Sequence, residues 1–311
     1  MTDPVSYNAD GAVAVLRINN PPVNALSQAV RQGLADGMDR AEADPAIKTV
    51  LIVGEGRAFI AGADITEFGK PPMEPNLPDL CTRIENSRLI VIASMHGVTL
   101  GGGLEVALGA HYRIAQPSAR LGLPEVHLGL LPGAGGTQRL PRLTGSAAAI
   151  EIMTSGRQIK AAEALEMGLL DKVEEGDPQE VGLAYAADLL SRGGARRAVS
   201  ELPAAELIDW EAAPEGALKK GRGQINTGAI VRAVQAASEQ PFSEGMTYER
   251  GLFMKLLQSD QSKGMIHAFF NERAVSNLPE LKGVTPRDLN AVGVIGGGTM
   301  GAGIATAALL S

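Results

Sequence analysis

The sequence has a single cysteine, no long apolar run and no cluster of basic residues. Because Cys81 stands alone among 311 residues, an intrachain disulfide and a cysteine-based zinc site are excluded. The four histidines have no metal-ligand spacing, so we expect no metal site. No apolar stretch has the length of a membrane-spanning helix, and residues 1–8 are polar, unlike a signal peptide. We therefore expect a soluble, cytoplasmic protein without a membrane contact.

Acidic residues outnumber basic ones, 35 to 28, and the formal net charge is −7. No Lys/Arg-rich run of the kind that covers a phosphate backbone is present, so we expect no nucleic-acid partner. Hydrophobic residues make up 45 % and charged residues 20 % of the chain, a composition that supports a large folded core. The length predicts about two domains.

Helical and strand-like segments alternate through the first half of the chain. Residues 28–42 have the pattern of a helix, whereas residues 49–53 and 89–93 are continuous apolar runs, typical of strands buried on both faces. Residues 69–78 contain four prolines and predict an exposed loop. In the second half the strand signals fade, and residues 248–270 carry an apolar stripe at helical spacing. This order predicts an α/β fold followed by a helical region.

A glycine fingerprint lies near the carboxyl end of the chain. Residues 291–295 form an apolar run that leads into Gly296, Gly298 and Gly301, followed by a helix start. This spacing is typical of the strand-to-helix turn of a dinucleotide-binding fold. The sequence stops at Ser311, before the acidic residue that would hold the ribose of NAD. We therefore predict an incomplete fingerprint that binds no NAD within this chain.

Three glycine-marked turns, at residues 59–65, 100–105 and 121–125, place small residues beside acidic ones. The second and third turns end on Glu105 and Glu125. Taken singly, a glycine cluster is typical of a tight turn, and a glutamate in a first helical turn is typical of a solvated partner of the helix dipole. Together, these turns and glutamates supply what acyl-thioester chemistry at an α-carbon needs. An enolate oxygen requires two N–H donors, and adding water requires a base and an acid.

The same residues resemble the crotonase (enoyl-CoA hydratase/isomerase) superfamily over about residues 5–270. The resemblance rests on four motifs in the family's order: Ala61-Gly62-Ala63-Asp64, Gly101-Gly102-Gly103-Leu104-Glu105, Pro124-Glu125 and Leu131-Pro132-Gly133-Ala134-Gly135-Gly136-Thr137. Residues 261–273, which lead toward the glycine fingerprint, are similar to multifunctional β-oxidation enzymes, in which a 3-hydroxyacyl-CoA dehydrogenase follows the hydratase.

The fold implied by this resemblance is α/β and has three parts. A crotonase (ClpP-like) spiral of repeated ββα units is expected over residues 1–194. A helical region that completes the hydratase/isomerase part is expected over residues 195–282. A linker and a truncated Rossmann βα stub, the start of a dehydrogenase, are expected over residues 283–311.

The resemblance also implies a role for each motif residue. Glu105 matches the glutamate that activates water, and Glu125 matches the glutamate that handles the C2 proton. The amides of Ala63 and Gly102 match the two oxyanion-hole donors, and Gly133 matches a helix start directed at the acyl thioester. The residues expected to bind the acyl-CoA substrate are Arg57, Ala61, Ala63, Asp64, Ile65, Gly102, Pro132 and Gly133.

The expected reaction is addition of water to a 2-enoyl-CoA in fatty-acid β-oxidation, with a 3-enoyl to 2-enoyl isomerase activity beside it. Hydration needs no cofactor, because CoA is part of the substrate, and NAD is expected only in the intact full-length enzyme. A homo-oligomer, a thiolase partner of the full-length enzyme and a peroxisomal location stay open. Two alternatives also stay open: an NAD-dependent 3-hydroxyacyl-CoA dehydrogenase in the full-length enzyme only, and a non-catalytic crotonase-like assembly module.

Overall fold

The computed structural model describes residues 3–67, 70–71, 73–212, 214–276, 278–281, 283–285 and 288–310. The chain divides into two compact units, residues 1–267 and 268–311. The domain limits expected after residues 194 and 282 differ from this division and stay predictions. Gly69 and Pro72, in the predicted loop, lie outside the described residues.

The described residues form ten strands and twelve α-helices. The strands are β1 Val5–Asp10, β2 Val13–Ile18, β3 Thr49–Gly54, β4 Ala58–Ile60, β5 Ile90–Met95, β6 Val98–Leu100, β7 Tyr112–Ala115, β8 Arg120–Gly122, β9 Ile159–Lys160 and β10 Lys172–Val173. The helices are α1 Gln28–Ala43, α2 Leu77–Glu85, α3 Gly102–Gly109, α4 Gly136–Thr144, α5 Ser146–Ser155, α6 Ala161–Glu166, α7 Pro178–Ser191, α8 Glu215–Lys220, α9 Ile225–Glu239, α10 Phe242–Leu257, α11 Asp260–Ser276 and α12 Thr299–Leu310.

The chain passes repeatedly between two sheets. The larger sheet has the order β1-β2-β3-β5-β7-β10, and the smaller has the order β4-β6-β8-β9. The successive pairs β3–β4, β5–β6 and β7–β8 each give one strand to each sheet, and helical structure follows each pair. Pairing is parallel except between β1 and β2 and between β8 and β9. This architecture is the repeated ββα arrangement predicted from the sequence.

The apolar runs are strands whose two faces are both covered. In β3, Val50 and Ile52 belong to the main core, whereas Leu51 and Val53 pack in a second cluster with Ala186 of α7. Because neighbouring residues of a strand point to opposite faces, a strand covered on both sides has no polar alternation. The main core continues into α1 and α3, and this packing fixes α3 beside the sheets.

The segment 248–270, predicted as helical, is divided between α10 and α11. The break falls at Gln258 and Ser259, where the Ser259 hydroxyl accepts the N–H of Ser262 at 3.1 Å, as a helix N-cap does. Leu256 is buried in the main core, and Phe253 packs against it. The apolar stripe therefore serves core packing on the α10 side, as its spacing indicated.

The second unit requires one correction to the sequence prediction. Residues 291–295, predicted as a strand, lie in irregular structure, whereas α12 begins at Thr299, within the fingerprint and directly after Gly298. A strand is completed by hydrogen bonds to a neighbour, and the described residues beyond 267 contain no strand that could pair with this run. The backbone of Gly296 lies close to Gly301, because a Cβ on Gly301 would overlap the carbonyl oxygen of Gly296.

Among the residues that the structure describes, no helix is both long and apolar enough to cross a membrane.

Candidate active site

Glu105 lies in the first turn of α3, next to the end of β6. The turn begins at Gly101, whose φ of +52° favours glycine and whose N–H donates to the carbonyl of Gly122 at 2.9 Å. The Glu105 side chain is buried, at 3 % exposure. Its Oε1 accepts the N–H of Ala134 at 2.7 Å and the N–H of Gly136 at 2.9 Å. Backbone amides rather than solvent therefore orient this carboxylate.

Glu125 approaches the same turn from the neighbouring segment. It lies on the short 3-10 helix Pro124–Leu128, directly after β8. A Cβ placed on Gly101 would lie 2.9 Å from Glu125 Oε1, so a glycine is needed beside this carboxyl group. The Oε2 atom is buried and has no hydrogen-bond partner among the described residues. The structure thus places both predicted catalytic glutamates at one glycine turn.

Burial and mutual repulsion set the protonation of the two glutamates. Burial raises the pKa of Glu125 well above its ordinary value, and the charge of Glu105 raises it further. Burial also raises the pKa of Glu105, but the amides of Ala134 and Gly136 and the charge of Arg139 oppose that shift. The surroundings of Glu105 therefore favour its ionised form more strongly than those of Glu125. The pair offers one base and one acid.

Two backbone amides lie close together at the start of α3. Gly102 is the first residue of the helix, so its N–H has no acceptor within it. A Cβ on Gly102 would lie 3.5 Å from the amide nitrogen of Ala63. Ala63 is held by an isolated bridge to Leu26, whose N–H donates to the carbonyl of Gly62 at 2.9 Å. Within the described part of the chain neither amide donates to a backbone acceptor outside the helices and strands, and their role as oxyanion-hole donors stays a prediction.

The other predicted binding residues have structural partners of their own. Arg57 is exposed, and its Nε donates to the carbonyl of Pro22 at 3.1 Å. Asp64 caps the 3-10 helix Ile65–Glu67, because its Oδ1 accepts the N–H of Thr66 at 3.0 Å. These contacts define the local backbone but no substrate position. Contacts with acyl-CoA stay predictions for all eight residues: Arg57, Ala61, Ala63, Asp64, Ile65, Gly102, Pro132 and Gly133.

The helix start expected at Gly133 is wrong, because α4 begins at Gly136. The backbone first makes a left-handed turn at Gly135, with φ of +96°, and a helix cannot run through such a residue. Gly133 lies before that turn, where a Cβ would collide with the ring of Phe253. The amides at the start of α4 bind carboxylates of the protein itself, among them Glu105. The dipole of α4 therefore stabilises Glu105, and the expected contact of Gly133 with the acyl thioester stays a prediction.

A third carboxylate, missed by the sequence analysis, lies at the same helix start. Glu249 on α10 is 1 % exposed, and its oxygens accept the N–H of Gly135 at 2.7 Å and the N–H of Thr137 at 3.0 Å. The sequence contained a signal for it. Glu249 precedes Phe253 and Leu256 at spacings of four and seven, so it is a charge within the apolar stripe of a helix.

Gly135→Ala is expected to reduce the free energy of unfolding by several kcal/mol. The left-handed backbone alone costs a Cβ about 1–2 kcal/mol. The new Cβ would also collide with the guanidinium of Arg139, which is fully buried and paired with Glu85 at 2.7 Å. Disrupting a buried pair costs about 3–5 kcal/mol more. Urea unfolding of the variant and the wild-type chain measures the difference.

Gly11→Ala is the matched control for this prediction. Gly11 also has a positive φ, +55°, but no atom lies within 4 Å of a Cβ placed there. The control should therefore lose only the backbone contribution, about 1–2 kcal/mol. Equal losses in the two variants would contradict the assigned role of Arg139 behind the turn.

Comparison with known proteins finds similarity in the region that contains Glu105 and Glu125. A sequence model of the enoyl-CoA hydratase/isomerase family matches residues 8–196. The chain belongs to this family. The match includes the end of β1, all of β2 to β10 and the residues around Ala63, Gly102, Glu105 and Glu125. Glu249 lies outside it.

Curated proteins resemble the chain along nearly all of its length. A peroxisomal bifunctional enzyme of Danio rerio is 45 % identical over 302 residues, which cover 94 % of this chain and 42 % of that enzyme. A peroxisomal fatty acid β-oxidation multifunctional protein of Arabidopsis thaliana is 36 % identical over 318 residues, covering 96 % of this chain and 44 % of that protein. The chain thus spans less than half the length of these two relatives.

A solved structure supports the same conclusion about the fold. Carnitinyl-CoA hydratase from Mycobacterium avium is 27 % identical and superposes with a TM-score of 0.66, covering 88 % of this chain and 97 % of that one. The predicted family and the predicted mixed α/β fold with a following helical region are confirmed. In the part of the chain that the structure describes, no group of three His, Cys, Asp or Glu residues could hold a metal ion.

Proposed function

We propose that this member of the enoyl-CoA hydratase/isomerase family adds water to 2-enoyl-CoA thioesters, with Glu105 and Glu125 as its catalytic residues. The observation that carries the proposal is that the two carboxyl groups lie at one glycine turn but differ in their hydrogen-bond partners. The Glu105 carboxylate is bound by two backbone amides, whereas the Glu125 carboxyl has a buried oxygen with no partner among the described residues. Such a contrast separates a base from an acid.

In the proposed hydration, the Glu105 carboxylate removes a proton from a water molecule, and the water oxygen forms a bond to C3. The π electrons of the C2–C3 bond move toward the thioester carbonyl. Its oxygen becomes an enolate oxygen, and the amides of Ala63 and Gly102 bind it. The protonated Glu125 then donates its proton to C2. Return of a proton from Glu105 to Glu125 restores the starting state.

The same arrangement supports isomerisation of a 3-enoyl-CoA to a 2-enoyl-CoA. One carboxylate removes a proton from C2 and returns it at C4, while the enolate oxygen stays on the two amides. We assign this shuttle to Glu125, in its ionised form. Its Oε2 makes no hydrogen bond to described residues, whereas Oε1 of Glu105 is already bound by two amides.

The complete protein is the subject of a broader proposal. Because relatives more than twice as long match along this chain, we propose that it is the hydratase/isomerase part of a multifunctional β-oxidation enzyme. NAD then serves a dehydrogenase part of the intact enzyme and has no role in hydration. The relatives are named peroxisomal, so we propose a peroxisomal location in place of the cytoplasmic one expected from the sequence. A homo-oligomer and a thiolase partner stay predictions.

The proposed function is tested by supplying 2-enoyl-CoA substrates of increasing acyl length and following loss of the enoyl-thioester absorbance. We expect turnover of the CoA esters and none of the matching free 2-enoic acids, because an enolate forms readily only from the thioester. The control is the same protein after heat unfolding. No turnover with any ester would favour the non-catalytic alternative, and turnover of the free acids would contradict the assigned chemistry.

A further inference from the structure

Four consecutive backbone amides, those of residues 134–137, bind two buried carboxylates in alternation. The first and third amides donate to Glu105 at 2.7 Å and 2.9 Å. The second and fourth donate to Glu249 at 2.7 Å and 3.0 Å, and the Thr137 hydroxyl adds a bond of 2.5 Å. We call residues 134–137 the shared turn. Its amides join a carboxylate of the candidate active site to a carboxylate on α10.

The carbonyl side of the shared turn is fixed as well. Arg139 donates from Nη1 to the carbonyl of Ala134 at 3.0 Å and pairs through Nη2 with Glu85 at 2.7 Å. Both side chains of this pair are buried, so water does not compete for these bonds. With Arg139 on the carbonyl of Ala134 and Glu105 on two of the four amides, Glu249 holds the other two amides of the turn.

We infer that Glu249 is a positioning residue for the proposed hydration: from α10 it fixes the shared turn, and through that turn it orients the carboxylate of Glu105. The inference rests on the proposed function, since the step it serves is removal of a proton from water by Glu105. Glu249 itself has both oxygens occupied by the shared turn and does not touch the substrate in this assignment. Orientation matters because a displacement of about 1 Å costs up to about 10²-fold in rate.

In its ionised form Glu249 also carries a charge, an effect that a purely structural side chain would lack. Burial, and then the charge of Glu105, raises the pKa of Glu249 to about 8. Glu249 is in turn among the charges that raise the pKa of Glu125. A neutral side chain at position 249 should therefore lower the pKa of Glu125. Among the described residues, the ionisable groups that interact with Glu249 include Glu105 on α3, Glu125 on the 3-10 helix, Arg139 on α4 and Cys81 on α2.

The test compares hydration kinetics of the full chain with those of Glu249→Gln. Glutamine places an NH2 group against N–H donors, so a bond to the shared turn is lost while the volume is kept. We expect kcat to fall at least about tenfold with KM within about threefold of wild type, because orientation of a base affects the chemical step. We also expect the alkaline limb of the kcat profile, where Glu125 loses its proton, to move to lower pH.

Thr137→Val supplies a second variant that keeps the charge of Glu249. It removes the hydroxyl bond to Glu249, together with the bond that this hydroxyl accepts from Gln138 Nε2 at 2.9 Å, so we expect a smaller loss of kcat and an unmoved alkaline limb. Thr144→Val is its matched control on the same helix, since the Thr144 hydroxyl donates to the carbonyl of Leu140 at 3.1 Å, away from both carboxylates. The control should keep the wild-type kcat.

Each outcome of this comparison decides the inference. Wild-type kcat or an unmoved alkaline limb in Glu249→Gln overturns it. If Glu249→Gln does not fold, a kcat of Thr137→Val equal to that of Thr144→Val overturns it, and a lower kcat supports it. Failure of the wild-type chain to hydrate any 2-enoyl-CoA overturns the proposed function together with this inference, whereas the other outcomes leave the proposed function intact.

Discussion

Glu105→Gln and Glu125→Gln are each expected to lower kcat for hydration of a 2-enoyl-CoA by at least about 10²-fold, the lower end of general acid–base contributions. Glutamine at position 105 cannot take a proton from water, and glutamine at position 125 cannot supply one to C2. The volume of each side chain is retained, so substrate binding should change little. Steady-state kinetics at saturating substrate measure the loss, and a melting curve confirms that each variant is folded.

Glu42→Gln is the control for these two variants. Glu42 is also a carboxylate with internal partners, Arg83 and the Ser87 hydroxyl, but it lies at the end of α1 and takes no part in the proposed site. Its loss should lower stability and leave kcat unchanged. If either catalytic-site variant retains kcat within about tenfold of wild type, the corresponding glutamate has not been assigned correctly.

The candidate active site was predictable from the sequence where its geometry is local. Gly101 has to be glycine because of its positive φ and because Glu125 lies against it, and Glu105 follows four residues later in the same helical turn. Because these requirements involve neighbouring residues, they produce a short sequence motif that can be recognised without the structure. Strands β3 and β5 were predictable for a related reason, since burial on both faces leaves a continuous apolar run.

Glu249 was not predictable by the same means, because its partners are distant in the sequence. It is separated by 114 residues from Gly135 and by 112 from Thr137, and nothing in the local sequence of α10 specifies a helix start as its partner. The start of α4 was misplaced for a connected reason. A run of glycines identifies a turn, but the residue that takes the left-handed conformation depends on Arg139 and the two carboxylates around it.

At residues 291–295 the local sequence pattern predicts a strand that the structure does not contain. Its composition is that of a buried strand, yet Ile295 is fully exposed and Val292 largely so. Composition predicts a strand only if a neighbouring strand supplies hydrogen bonds and a covering layer supplies apolar contact. The described residues of the second unit supply neither to this run, so local pattern and structure disagree there.

Isomerisation should separate the two glutamates that hydration needs jointly. Moving a double bond from C3–C4 to C2–C3 transfers one proton from C2 to C4 and adds no water, so a single shuttling carboxylate beside the two amides is sufficient. Glu125→Gln should therefore lower isomerase kcat by about 10³-fold or more. Glu105→Gln removes only the group assigned to water and should keep isomerase kcat within about tenfold of wild type.

The measurement uses 3-enoyl-CoA as substrate and follows formation of the 2-enoyl product in the same two variants that are assayed for hydration. Hydration of that product would hide it, so the Glu105→Gln variant, in which hydration is lost, should accumulate 2-enoyl-CoA more clearly than wild type. Loss of isomerisation in Glu105→Gln with retention in Glu125→Gln would reverse the two roles. Loss in both variants would indicate that the proton passes between the two carboxyl groups during the reaction, and the charge of Glu105, which raises the pKa of Glu125, would then serve transfer rather than separation of acid from base.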